Sequence, residues 1–134
     1  MKLTFIANAS CIVEESGFRI LSDPWLFDGA FEGSWCHYPP LKTKPIDLNN
    51  VDAIYLSHLH PDHFESKTLS LLPENIPIIL LDSKPNYLER MVQKLGFENI
   101  ILLPDGQSIE LSPYKLTIYA PFEKHVFHSS TIGN

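Results

Sequence analysis

A chain of 134 residues with 44% apolar and 19% charged side chains is long enough for one domain with a real core, and too apolar for disorder. Its formal net charge of −6, with no run of Lys or Arg against it, excludes a phosphate-tracking nucleic-acid surface and an anionic-membrane binder. Cys11 and Cys36, the two cysteines, lack CxxC spacing, which excludes a disulfide framework and fits a reduced, cytoplasmic compartment.

The start, "MKLTFIANASC", carries a Lys, a short apolar stretch and small residues before Cys11. The apolar stretch is too short for a signal-peptide core, and the residues beyond Cys11 continue a strand pattern. No run reaches the length of a membrane-spanning helix. Residues 2–8 and 11–15 are expected as strands, joined to a third at 18–23 by a turn in which Gly17 is free to take positive φ. Cys11 reads as a buried strand residue.

From 24 to 50 the texture changes to Trp, Phe, Gly and Pro, with Trp25, Phe27, Phe31, Trp35 and Tyr38 as aromatics. A loop of that length is uncommon unless it carries function. It either packs a small core of its own or walls a substrate pocket. Beyond it, 51–57 is expected as a buried strand, 64–72 as a short helix stopped by Pro73, and 77–82 as a strand covered on both faces. Residues 84–96 form a helix, with Ser83 as its cap, Pro85 in its first turn, Gly96 at its end and an apolar stripe of Leu88, Met91, Val92 and Leu95. Residues 99–104 are another strand and 108–121 a final hairpin. This order predicts an α/β (α+β) domain with a mixed sheet and helices on at least one face.

The densest chemistry is "YLSHLHPDHFES" at 55–66. Alternate side chains of an extended strand share a face, so His58 and His60 project together from the end of the 51–57 strand. Pro61 breaks that strand, and the following turn brings Asp62 and His63 back toward the first pair. Four ligand-type groups then meet at the carboxyl edge of a sheet strand, where α/β folds bind ligands. Without a cation, three imidazoles packed together repel when charged and pay for desolvation when buried. A divalent ion removes both costs by binding neutral imidazole and carboxylate. The nitrogen and oxygen donors suit zinc first, with iron or manganese as further options. The plain alternative is a solvated polar turn.

"HLHPDH" at 58–63 matches HxHxDH, and with the hairpin start, "FRILSDPWL" and "VDAIYLS" the chain resembles the metallo-β-lactamase-fold metal-dependent hydrolases. "SDPW" followed by "GSW" is similar to the branch holding lactonase-like, phospholipase-D-like and sialic-acid-nucleotide hydroxylase members. The resemblance covers most of residues 1–134. It implies half of a four-layer αβ/βα sandwich with helices on one face: the amino-terminal half, without the second half that supplies a bridging aspartate and a last histidine. By position it implies His58 and His60 as ligands of a first metal, completed by His125 (or His128), and Asp62 and His63 as ligands of a second. Asp23 resembles the aspartate that orients a ligating imidazole; capping the "DPW" turn is its other reading. His37 has no spacing that ties it to the cluster.

The implied activity is hydrolysis of an ester, lactone or phosphoester by metal-activated hydroxide, with Asp62 also holding the nucleophilic water. The substrate is a small molecule whose identity is set by loops, 24–50 among them. The alternatives are an oxidoreductase component like the sugar-nucleotide hydroxylases and a non-catalytic metal-binding half-domain. An apolar sheet face left uncovered implies self-association or a missing carboxyl-terminal half.

Overall fold

Turn chemistry builds the first three strands. β1 (Lys2–Ala7), β2 (Ser10–Glu15) and β3 (Phe18–Ser22) pair antiparallel. Between Glu15 and Phe18, Ser16 and Gly17 both take positive φ, the backbone a two-residue hairpin with the natural strand twist requires. In the computed structural model, which describes residues 1–121, three parallel strands follow: β4 (Ala53–Tyr55), β5 (Ile78–Leu81) and β6 (Ile100–Leu103). The six form one mixed sheet in sequential order. A short hairpin, β7 (Ser108–Leu111) with β8 (Tyr114–Thr117), stands apart from it.

Because β3, β4, β5 and β6 step across the sheet in one direction, right-handed crossovers put all three connections on one face. There Leu21, Ile54, Leu56, Ile78 and Leu80 pack under Leu69 of α1 (Ser66–Leu69), Leu88 and Val92 of α2 (Tyr87–Lys94), Leu48 and Phe97. The opposite face presents Ile20, Ala53, Ile79 and Leu103, which meet Ile109, Leu111, Tyr114 and Leu116 of the β7–β8 hairpin. The Tyr114 hydroxyl donates to Phe18 O at 3.2 Å and closes that layer. Ile78, Ile79 and Leu80 of β5 are wholly buried, as an apolar run in a doubly covered strand predicts. Leu80→Ala is therefore expected to cost about 2–5 kcal/mol in urea unfolding, the range for a truncated core leucine.

The structure refines several expectations. Among the described residues the sheet face opposite the helices is open at the β1 end, where Leu3 and Phe5 are 66% and 70% exposed, and the β7–β8 hairpin packs on Ile20, Ala53, Ile79 and Leu103. The 64–72 helix contracts to one turn because Glu65 accepts from Lys67 N and Thr68 N and sets its start at Ser66. The helix expected over 84–96 begins at Tyr87, and Asn86, not Ser83, caps it. The Asn86 side chain accepts from Glu89 N while its amide donates to Leu81 O, so the cap is tied to the end of β5. Gly96 does end the helix, at φ +96. Among the described residues no helix is long and apolar enough to cross a membrane.

Candidate metal centre

The site begins where β3 ends. Asp23 takes φ +40, an unfavourable backbone for a non-glycine residue, and two contacts hold it there. Asp23 N donates to Tyr55 O at 2.9 Å, extending the β3–β4 pairing by one residue. The buried Ser10 hydroxyl donates to Asp23 O at 2.6 Å and accepts from Trp25 N at 2.9 Å. With its backbone pinned from β2 and β4, the Asp23 carboxylate turns away from its own "DPW" turn toward the end of β4. It accepts from Ser57 N at 2.7 Å and from the Ser57 hydroxyl at 2.8 Å, and His63 Nδ1 lies 2.9 Å away.

The 60–64 turn does the rest. His63 N and Phe64 N both donate to His60 O, at 2.9 and 2.8 Å, a tight coil that folds His63 back over Ser57. Phe64, buried in the helix-side core, anchors it. The His58 and His63 rings come within 4.0 Å of each other and the His58 and His60 rings within 4.5 Å. Asp62 is buried, with Oδ2 3.4 Å from His63 Nε2. His58, His60, Asp62 and His63 thus share one small volume at the carboxyl ends of β3 and β4.

Hydrogen bonding assigns the protons. Ser57 has one hydroxyl proton and gives it to Asp23, so its oxygen accepts from His58 Nδ1, 2.8 Å away. His63 Nδ1 donates to Asp23. In its neutral form each ring then carries its lone pair on Nε2, where His58 accepts from His60 Nδ1 2.9 Å away and His63 faces Asp62, the tautomer a ligating histidine needs. Partial burial, then the neighbouring His63 and His60 rings, hold the His58 imidazole below its usual pKa against the opposing pull of Asp23 and Asp62. It is thereby kept in the neutral form that can donate its lone pair.

Two features fit a cation. His63 Nε2 stands 3.4 Å from a carboxylate oxygen, an arrangement that asks for a positive charge, a proton or a metal ion, between the two. Asp62 Oδ1 is buried and has no hydrogen-bond partner among the described residues, an unmet demand of a kind that folded proteins rarely leave. Among the described residues no three His, Cys, Asp or Glu side chains are already spaced as a ligand cage. His58 Nε2 and His60 Nδ1 are 2.9 Å apart, whereas two nitrogens on one tetrahedral zinc stand about 3.3 Å apart. A rotation of these exposed rings by a few tenths of an ångström separates them enough.

Asn8 and Ser57 have no part in the sequence reading, yet both belong to this network. Asn8, at φ +51 in the β1–β2 turn, donates its amide to Asp62 Oδ2 at 2.8 Å and leaves Oδ1 as the free oxygen. An Asn at a strand end signals only a turn, and the contact spans 54 residues. Asn8→Ala is expected to weaken metal binding roughly tenfold, as loss of an outer hydrogen bond to a ligand does, measured by competition with a chelator. Ser57 has a faint signal in preceding His58 directly. His37 stacks on Trp25 with ring centroids 4.0 Å apart, and no contact joins it to the cluster. Cys11 is only partly buried in β2, its thiol pushed above the usual value first by burial and then by Asp23. His125 and His128 lie outside the described residues.

Comparison with known proteins bears on the family and the fold. The family model for the beta-lactamase superfamily domain matches residues 2–129. A protein of Mycolicibacterium smegmatis named for a Rieske 2Fe-2S iron–sulfur centre is 35% identical over 79% of this chain and 21% of its own length. The cytidine monophosphate-N-acetylneuraminic acid hydroxylase of Asterias rubens is 32% identical over 84% of this chain and 18% of that protein. Among solved structures, the isothiocyanate hydrolase from Delia radicum gut bacteria superposes with a TM-score of 0.66 at 28% identity, over 84% of this chain and 45% of that one. The chain thus spans about a fifth of these curated relatives. The six-stranded mixed sheet with its few helices matches half of an α/β metallo-β-lactamase fold. On the match over residues 2–129, the chain belongs to the beta-lactamase superfamily domain family.

Proposed function

We propose that this chain carries the metal-holding half of a hydrolase that cleaves an ester, lactone or phosphoester. The observation that carries the reading is the pair at Asp62 and His63: a buried carboxylate oxygen without a hydrogen-bond partner among the described residues, and a ring nitrogen 3.4 Å from the other oxygen of the same carboxylate. In this reading His58 and His60 hold one ion, completed by His125 or His128, and Asp62 and His63 hold a second. Zinc suits the nitrogen and oxygen donors, and iron or manganese fits the same set. A bound divalent ion there supplies a water acidified to a pKa near 7 and polarises the substrate oxygen.

The chain's own groups do the positioning. Asp23 and Ser57 keep Nε2 of His58 and His63 unprotonated and aimed together. Asn8 holds one oxygen of Asp62, leaving the other to bind the ion and orient the attacking water. Exposed His58 and His60 leave the site open to a small-molecule substrate.

A second reading, an oxidoreductase component, draws support from the name of the sea-star relative, a hydroxylase. It requires an iron centre and an electron donor. Elemental analysis of the protein, with assays on generic esters, lactones and phosphodiesters, separates the two. Zinc or manganese with turnover supports the hydrolase. Iron with a visible absorption band and no hydrolysis supports the second reading, and a preparation that takes up no metal sinks both.

A further inference from the structure

Beside the histidine cluster, a cleft of about 790 Å³ opens between the edge strand β1 and residues 34–43. That volume is in the range of small-molecule sites, which are lined mainly by apolar and aromatic groups with few polar ones. Its walls hold Phe5, Trp25, Trp35, Tyr38 and Leu41. Three of these aromatics are unusually open for their size: Trp35 is 48% exposed, Phe5 70% and Tyr38 97%. Large apolar side chains gathered around one concavity mark a binding surface.

Charge narrows the ligand. In a chain of net charge −6, no carboxylate among the described residues lines this cleft, and Lys42 is the one formal charge they place there. A cationic ligand finds no counter-ion there, whereas a neutral or anionic one does not meet repulsion. Two short chains of neighbours lead from the cleft to the cluster. Asn8, part of its lining, holds Asp62. Trp35 packs on Phe31 with ring centroids 4.8 Å apart, and Phe31 stands 6.2 Å from His60.

We propose that this cleft seats the apolar, long-chain or aromatic acyl group of a neutral or anionic substrate and presents its reacting bond to the histidine cluster; the substrate class so named rests on the hydrolase reading. The chain's two tryptophans both line the cleft, so their emission reports its occupancy without any turnover.

Titration of the protein with octanoate is expected to shift tryptophan emission, with a dissociation constant at least about tenfold below that of butyrate, because each added methylene that leaves water contributes to binding. Octylammonium, equally long but carrying a compact, strongly hydrated cation that aromatic walls hold less well than a quaternary one, is expected to bind at least about tenfold more weakly than octanoate. Chelator-treated protein is expected to keep the octanoate response. Leu41→Asp, which puts a carboxylate in one wall, and Tyr38→Ala, at a position too exposed to matter to folding, should each weaken it several-fold. Emission unmoved by octanoate, equal binding of the cation, or unchanged affinity in both variants overturns the proposal. Octanoate binding with no metal-dependent hydrolysis of any ester, lactone or phosphodiester, octanoyl esters included, overturns the hydrolase reading and leaves the apolar cleft standing.

Discussion

His58→Ala and His60→Ala are each expected to lower metal affinity by at least about a hundredfold and to remove metal-dependent ester or phosphoester turnover. Each change deletes a donor nitrogen outright, a larger loss than the tenfold to hundredfold that outer-shell changes cause. Both rings are exposed and contribute nothing to either core cluster. Substitutions at such positions ordinarily shift stability by no more than about 0.5 kcal/mol, so melting curves taken in chelator should superpose with wild type. Metal content, chelator competition and initial rates on the same preparations test this together. Equal rates in wild type and both variants would remove the catalytic claim, and equal metal content would remove the ligand claim as well.

Asp23 offers the second large effect, and here two substitutions separate positioning from folding. Its carboxylate accepts from Ser57 N, the Ser57 hydroxyl and His63 Nδ1 and is almost fully buried. Asp23→Ala strands those donors and places an alanine at φ +40. Each buried donor left unpaired costs about 1–3 kcal/mol, so a marked fall in denaturant midpoint is expected. Asp23→Asn keeps the shape, and asparagine tolerates left-handed backbone. Its amide oxygen, however, fills only one of the two carboxylate positions, and when it accepts from Ser57 N the NH2 group faces His63. A ring that faces the amide N–H must protonate Nε2 instead of Nδ1, and the lone pair that faces Asp62 is lost. Asp23→Asn is therefore expected to lose about 10–100-fold in metal affinity with a smaller stability change than Asp23→Ala. If Asn binds metal as well as wild type, Asp23 is a fold residue and does not set the tautomer.

Local patterns were legible wherever neighbours in sequence decide the outcome. The turn at Ser16–Gly17, the buried run of β5 and the end of α2 at Gly96 each follow from residue type and spacing over a few positions. Element starts were read less well. Asn86 displaced Ser83 as the cap because its amide could also reach Leu81 O, a partner supplied by tertiary packing. The β7–β8 hairpin is evident in the sequence, but its place over Ile20, Ala53, Ile79 and Leu103 is a matter of docking, which no local propensity encodes.

The amino-acid sequence by itself determined that His58, His60, Asp62 and His63 lie on one short segment just past a strand, since they are near neighbours and Pro61 breaks extended backbone there. β4 ends at Tyr55, so the turn, and not the expected alternation along a 51–57 strand, brings the two histidines together. Tertiary structure alone decided what that turn can do. It carried Asp23 from the neighbouring strand to within hydrogen-bonding reach of Ser57 and His63, and it brought Asn8 from another hairpin onto Asp62. Proton placement on an imidazole depends on which acceptor stands at its far nitrogen, and that acceptor comes from a distant part of the chain.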